Sequence, residues 1–267
     1  TPHSVIELTT SNGDWFKKHQ CQYLRLYGTK KCGYSTTRGL RSKMEDCIIV
    51  RPDIVDGIGL YAVIDGHGGI KTALKSSELI PDLFIHSPDH AISAFSHILK
   101  NVNLALRSEG IRDGATIACA IISDRHIGHA HLGDSRAIIV KCDGSVHELT
   151  HDHRPTERWE LSILKDNQTF VSDERTAGIL AISRAIGDFV VEGLSRVPDI
   201  DVYDRVGTES RIVLACDGVF DVLSNEQVAR IVIENPDPNE AAALVRLAAV
   251  AYGSHDNISV IVVDLEK

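Results

Sequence analysis

The sequence lacks several features whose absence narrows its class. Its six cysteines, at positions 21, 32, 47, 119, 142 and 216, include no Cys-x-x-Cys pair, which speaks against a zinc ribbon or a thioredoxin-type motif. No apolar run reaches membrane-spanning length, and no signal peptide is read. Positive charge is in deficit: 28 Lys and Arg stand against 37 Asp and Glu, for a formal charge of −9. That balance argues against nucleic acid or an anionic membrane as the main partner. It also fits carboxylates neutralised by bound cations. Internal repeats, low-complexity tracts and long linkers are missing too, so the chain reads as one domain.

What is present fits a globular chain of 267 residues, 43% hydrophobic and 24% charged, long enough to bury a sizeable core. Residues 1–30 are polar and without a clear period, and they read as an N-terminal arm packed through Trp15 and Phe16; residues 31–267 form the domain. Cys47, Cys119 and Cys216 lie in apolar runs and are expected buried and reduced, as in a cytoplasmic or nuclear protein.

Short β-rich runs predict strands over 47–50, 58–64, 116–123, 126–132, 136–141, 179–182, 211–216 and 258–265. Several are joined by tight turns, among them Ser123-Asp124-Arg125 and the turn at Asp143-Gly144, which favours antiparallel pairing. Ser87-Pro88 opens a predicted helix to about Glu109, with Ile92, Phe95, Leu99, Val102 and Leu106 on one face. Ser224-Asn225-Glu226-Gln227 is a capping box for a helix to about Glu234, and Asp237-Pro238 opens another to about Tyr252. Residues 70–84 form a further helix, interrupted at Pro81. The order gives an α+β class, with antiparallel sheets and helices packed outside them.

The carboxylates carry the chemistry. Glu45-Asp46 precede the strand at Cys47, and Asp65 follows the strand ending at Ile64. Asp217 follows Cys216, and Asp256 precedes the strand at Ile258. In antiparallel sheets the end of one strand lies beside the start of its neighbour, so these acids can share one edge. Five like charges there would repel and call for cations. The set is all oxygen, which suits Mg²⁺ or Mn²⁺ rather than Zn²⁺. Two such ions about 3.5–4 Å apart clamp a phosphate and supply a hydroxide at neutral pH. Arg41, four residues before Glu45, could grip phosphate oxygens, and His67, two residues past Asp65, is an imidazole, the side-chain type that suits proton donation to a leaving oxygen. Gly133-Asp134-Ser135-Arg136 reads as a turn that brings another carboxylate to the same sheet, whereas the histidines between 126 and 153 read as mostly solvated.

One spacing misleads. Cys32 and Arg38 match the Cys-x5-Arg pattern of cysteine-based phosphatases, but no histidine precedes Cys32 and the intervening Gly33-Tyr34-Ser35-Thr36-Thr37 is no glycine-rich cradle. A P-loop and a Ser-His-Asp elbow are both missing.

From about Gly33 to Asp264 the chain resembles the metal-dependent serine/threonine protein phosphatases of type 2C. The resemblance rests on motifs in the family's order: Arg41 with Met44-Glu45-Asp46, Asp65-Gly66-His67-Gly68-Gly69, Gly133-Asp134-Ser135-Arg136 and Thr150-His151-Asp152-His153-Arg154-Pro155. Leu180-Ala181-Ile182-Ser183-Arg184-Ala185-Ile186-Gly187-Asp188, Cys216-Asp217-Gly218-Val219-Phe220-Asp221 and Ser254-His255-Asp256-Asn257 complete them. It implies a sandwich of two antiparallel β-sheets flanked by helices, four layers αββα, with a site for two Mg²⁺ or Mn²⁺ ions at one end. By resemblance Asp65 bridges the ions, the Gly66 carbonyl ligates one, Asp217 and Asp256 bind the other, and Glu45 and Asp46 act through bound water. Asp134 joins Asp217 at a weaker third ion, Arg41 holds the phosphate and His67 protonates the leaving oxygen, with water attacking phosphorus in line. Phosphoproteins are then the substrates, and a monomer that binds neither nucleic acid nor membrane is expected.

Departures from the family pattern occur in the flap, 156–178, which lacks the usual glycine pair, at Phe220 where tryptophan is common, and at Gly114-Ala115-Thr116-Ile117. They bear on substrate choice and remove no metal ligand. The competing readings are a catalytically weak pseudophosphatase serving as a binding module and a structural cation-binding protein; the second leaves Arg41 and His67 unexplained.

Overall fold

A computed structural model describes residues 32–265 apart from Asp89. The arm expected over 1–30 therefore lies outside the described residues. The strands, in chain order, are Cys32–Thr37 (β1), Cys47–Val55 (β2), Ile58–Ile64 (β3), Gly66–His67 (β4), Gly114–Ala115 (β5), Ile117–Ile122 (β6), His126–Leu132 (β7) and Arg136–Lys141 (β8). They continue with Val146–Glu148 (β9), Val171–Ser172 (β10), Arg175–Thr176 (β11), Ile186–Gly187 (β12), Asp199–Asp204 (β13), Glu209–Ala215 (β14) and Ile258–Asp264 (β15). The helices are Lys71–Ile85 (α1), Phe95–Ser108 (α2), Arg158–Asp166 (α3), the single turn Asp217–Phe220 (α4), Asn225–Glu234 (α5) and Pro238–Ala251 (α6).

Two five-stranded antiparallel sheets, β1-β15-β14-β8-β9 and β13-β7-β6-β3-β2, make the body of the fold. The period-2 alternation of strand side chains sets the layers. In β3, Tyr61 and Val63 point between the sheets and meet Ile139, Ile212, Leu214, Ile261 and Val263. Leu60, Ala62 and Ile64 of the same strand point the other way, onto Ala73, Ile80 and Phe84 of α1 and Phe95 and Leu99 of α2. Both faces of β3 are thus covered, which is why its sequence is a continuous apolar run. On the far side Val213, Val260 and Val262 pack under Val228 of α5 and Ala241 and Val245 of α6. The result is the expected four-layer αββα arrangement. No helix among the described residues is long and apolar enough to cross a membrane.

The elements differ from expectation where tertiary packing prevails. Pro81 does not interrupt α1; it is buried in the helix, and the packed face of Ala73, Ile80 and Phe84 outweighs the lost backbone hydrogen bond. Ser87 caps no helix. Its hydroxyl donates to the Phe84 carbonyl at the end of α1, and the next helical residues begin only with a 3₁₀ turn at Ile92–Ala94. Residues 179–182 form a turn rather than a strand, joined to the β10–β11 hairpin by one bridge from Leu180 to Thr176. Ile179 is 59% exposed while Ile182 is buried with Ala185, Val191 and Leu194, so the run folds into a small cluster of its own instead of extending along a sheet. The capping box at Ser224 is formed as expected, with both reciprocal bonds to Gln227.

Candidate metal centre

The register of the two sheets puts the acids together. Cys47 of β2 pairs with Ile64 of β3, so Asp46 and Asp65 emerge side by side from one sheet. Ala215 of β14 pairs with Val260 of β15, and the Cys216 amide donates to the Ser259 carbonyl, so Asp217 leaves the other sheet beside the 256–258 segment. Asp134 sits where the chain crosses between the sheets, from β7 to β8, just after Gly133, whose φ of +91° a side chain would strain.

Asn257 fastens the loop that carries the first acids. Its side-chain amide donates to the carbonyls of Arg38 and Lys43, and its oxygen accepts from the Glu45 amide at 2.7 Å. Gly66 has to be glycine, because a Cβ there would lie 2.5 Å from the Glu45 carbonyl oxygen. That close approach brings the 45–46 segment against the start of β4.

Burial raises the proton affinity of four of the carboxyls, and neighbouring acids add to the rise. Burial pushes Asp46 up to about 7, against the opposing hydrogen bond from the Ser259 hydroxyl, with Asp217 and Asp256 adding to the rise. Burial likewise takes Asp134 to about 8 and Asp217 to about 6. Asp65, packed among Asp46, Asp217 and Asp134 and sharing a hydrogen bond with Asp217, is held well above the ordinary carboxylate range by burial first and those neighbours second. Two buried oxygens, Asp46 Oδ1 and Asp217 Oδ1, have no hydrogen-bond partner. Orphaned carboxylate oxygens beside a cluster of like charge are what a cation would satisfy, and the donor set suits a hard divalent ion. Cys216 lies within 4.8 Å of Asp46 and Asp65, but its Sγ is already taken: it donates to the Asn257 carbonyl and accepts from the Ser259 amide.

The remaining candidates stand at the rim. The Arg41 side chain is 62% exposed and its Nη2 donates to Asp256 Oδ2 at 2.6 Å. The Glu45 backbone is fixed by Asn257, and its side chain makes no hydrogen bond or ion pair among the described residues. His67 Nε2 lies 2.6 Å from Asp188 Oδ2.

Three residues of the sequence motifs gain a role at the site that the motifs alone do not assign. Asp188 pairs with His67. Arg154 donates to Asp221 at 2.6 Å and lies 3.5 Å from Asp134, so it holds the Asp134 corner from the outside. Asn257 is the fastener described above. The signal for Asp188 was available: it follows Gly187 at the end of an apolar run, as Asp65 follows its own strand.

The histidines correct an expectation. His129, His131 and His153 are buried rather than solvated. The rings of His131 and His153 stack at 4.3 Å, and His153 Nδ1 accepts from the Gly133 amide, which leaves Nε2 to donate to Asp199. His131, His153 and Asp199 are close enough to hold a cation, but His153 Nε2 and the Arg184 guanidinium engage Asp199 and His131 Nε2 meets the His151 carbonyl, which leaves His131 Nδ1 as the one ring nitrogen of the pair without a partner among the described residues. Their position behind Gly133 makes them a support for Asp134.

The comparisons with known proteins agree with this geometry. Residues 30–258 match the family model described as Protein phosphatase 2C. The chain is 34% identical over 277 residues to "Probable protein phosphatase 2C 71" of Arabidopsis thaliana, covering 97% of this chain and 59% of that protein. It is also 34% identical over 249 residues to "Probable protein phosphatase 2C 69" of the same plant, covering 88% of this chain and 70% of that one. Among solved structures, the "serine-threonine phosphatase 2C from Toxoplasma gondii" shares the fold with a TM-score of 0.76 at 24% identity, over 87% of this chain and 94% of that one. A sandwich with acids gathered from four strand ends, matched by family and relatives over most of its length, identifies the chain as a member of the protein phosphatase 2C family, the metal-dependent serine/threonine protein phosphatases.

Proposed function

We propose that this chain hydrolyses phosphoserine and phosphothreonine in proteins with two Mg²⁺ or Mn²⁺ ions, water attacking phosphorus directly and no phosphoenzyme forming. The observation that carries this reading is the pair of partnerless buried oxygens on Asp46 and Asp217 beside the hydrogen-bonded Asp65. Asp65, Asp217, Asp256 and the Gly66 carbonyl would hold the two ions, with Glu45 and Asp46 behind them and Asp134 with Asp217 at a weaker third. When bound, the ions would make a water acidic enough to ionise near neutral pH and offset the phosphate charge.

The chain's own residues supply the rest. Arg41 stands exposed at the rim, where a guanidinium can take two phosphate oxygens at once. Asp188 fixes the His67 ring through Nε2, leaving Nδ1 as the nitrogen to serve a leaving serine or threonine oxygen. The sheets exclude water from beneath Asp46 and Asp65, which strengthens every electrostatic contact at the edge.

The test is hydrolysis of p-nitrophenyl phosphate with Mn²⁺ and with a chelator. Turnover that requires the metal is expected. A folded protein that binds Mn²⁺ without any turnover would overturn the enzyme reading in favour of a binding module.

A further inference from the structure

Beside the metal edge the surface holds a cleft of about 390 Å³, and its chemistry differs from that of the rest of the molecule. Its cations are Lys100 and Arg107 of α2 and Arg196; no carboxylate lines it, in a chain whose formal charge is −9. Its floor is Phe189, with the Arg107 and Arg196 guanidiniums 4.9 and 5.0 Å from the ring centroid. Leu104 and Val197, on its walls, are 58% and 66% exposed.

The three cations are not equally committed. Arg196 is structural: it donates to the carbonyls of Gly187, Leu194 and Asp188. The side chains of Lys100 and Arg107 make no hydrogen bond or ion pair with any described residue, and the Arg107 guanidinium lies over the Phe189 ring. Burial lowers the Arg196 guanidinium, Asp188 opposes that and Arg107 adds to it, so the pair of arginines carries a repulsion that an anion would relieve.

The cleft is continuous with the catalytic edge through the chain itself. Phe189 directly follows Asp188, whose carboxylate holds His67, and Arg196 grips the backbone of Gly187 and Asp188 from behind. Because Asp188, on His67, and Phe189 are adjacent in the chain, a substrate with its phosphorylated residue at His67 could place a residue a few positions away over Phe189, an extended peptide advancing about 3.3 Å per residue. We propose that this cleft is a docking subsite for the phosphoprotein substrate. It would take an acidic side chain, Asp, Glu or a second phosphorylated residue, on Lys100 and Arg107, and an adjoining apolar side chain against Leu104 and Val197. The inference rests on the proposed phosphatase reading and names the sequence that such an enzyme selects.

The experiment compares two phosphothreonine peptides, identical except that one carries Glu-Leu pairs within six residues on either side and the other Gln-Ser. Wild-type protein with Mn²⁺ is expected to favour the acidic peptide in kcat/KM. The pair Lys100→Ala and Arg107→Ala, both exposed and without structural hydrogen bonds, should lower kcat/KM for it, relative to p-nitrophenyl phosphate, by about 5- to 20-fold. Arg107→Glu should reverse the preference. A wild type indifferent to the flanking residues, or variants that keep the preference, would overturn the subsite. Absence of turnover on every substrate would count against the phosphatase reading alone. The subsite would then be judged by fluorescence polarisation of the labelled acidic peptide, where equal affinity of wild type and Arg107→Glu would reject it.

Discussion

His67 and Asp188 belong to different motifs, 121 residues apart, and meet at 2.6 Å. A carboxylate on one imidazole nitrogen fixes the ring and its tautomer, so Asp188 is a positioning residue for whatever proton His67 transfers. That role predicts a split between substrates. An aryl phosphate has a leaving group that departs without a proton, whereas a serine or threonine alkoxide needs one. His67→Ala is expected to lower kcat on a phosphopeptide by about 10²–10⁴-fold, and to change p-nitrophenyl phosphate turnover much less. Asp188→Asn keeps the size and removes the charge, and should show the same asymmetry at about 10–100-fold. Parallel kinetics on the two substrates check this, and equal losses on both would mean that the pair only holds the edge together.

The element that brings the two residues together is the small sheet β12-β5-β4. Gly114 of β5 pairs with His67 on one side and with Gly187 on the other. The contact between His67 and Asp188 therefore spans the position where a side chain on residue 114 would stand. A Cβ there would lie 2.0 Å from Asp188 Oδ2, and the obstacle is the tip of a side chain rather than backbone. Gly114→Ala is accordingly expected to displace the Asp188 carboxylate and reproduce the kinetic split of Asp188→Asn, with a Tm lowered by no more than about 4 °C. Phosphopeptide kinetics with a thermal melt check it; a much larger loss of Tm would mean that the strand itself cannot close. Elements buried by their own pattern were legible in the sequence. The bounds of β3, β7 and β8 were read to the residue, because Leu60, Ala62 and Ile64 and their counterparts are apolar on both faces or alternate cleanly. The acids at the strand ends were legible for the same reason, since antiparallel pairing fixes which ends meet. What escaped was set by partners distant in sequence. β13, Asp199–Asp204, alternates acids with apolar residues on a surface edge and is a strand only through its pairing with β7. His153 reads as a polar loop residue until the Gly133 amide and Asp199 are placed around it. Asp188 is legible as an acid at the end of a run, but its partner His67 and the Gly114 that makes room for it are far away in sequence.

At the scale of the whole molecule, a cluster built for cations makes stability depend on pH and on metal together. The folded-state pKa of Asp46, Asp134 and Asp217 lies at about 7, 8 and 6, above the ordinary value near 4. For an acid whose pKa is raised on folding, the stabilising contribution is complete below the unfolded value and is lost as pH rises through the folded one. Buried histidines run the other way. Burial lowers His129 and takes His131 down to about 3, so their contribution is present above the ordinary imidazole value and lost as pH falls below it. The acids therefore dominate between about pH 6.5 and 8.5. In a chelator, Tm is expected to fall by about 5–10 °C across that window, as the cluster becomes charged with nothing to neutralise it. Saturating Mn²⁺ should abolish the fall, because the ion binds the ionised acids and is favoured by the same rise in pH. General repulsion in a chain of formal charge −9 would also lower Tm at high pH, so the decisive comparison is a variant. Asp46→Asn imitates the protonated carboxyl at the centre of the cluster while changing the total charge by one. In chelator it should flatten the Tm profile between pH 6.5 and 8.5, and it should shrink the Mn²⁺-dependent gain. A variant profile parallel to that of the wild type would assign the slope to overall charge and remove the cluster as its cause.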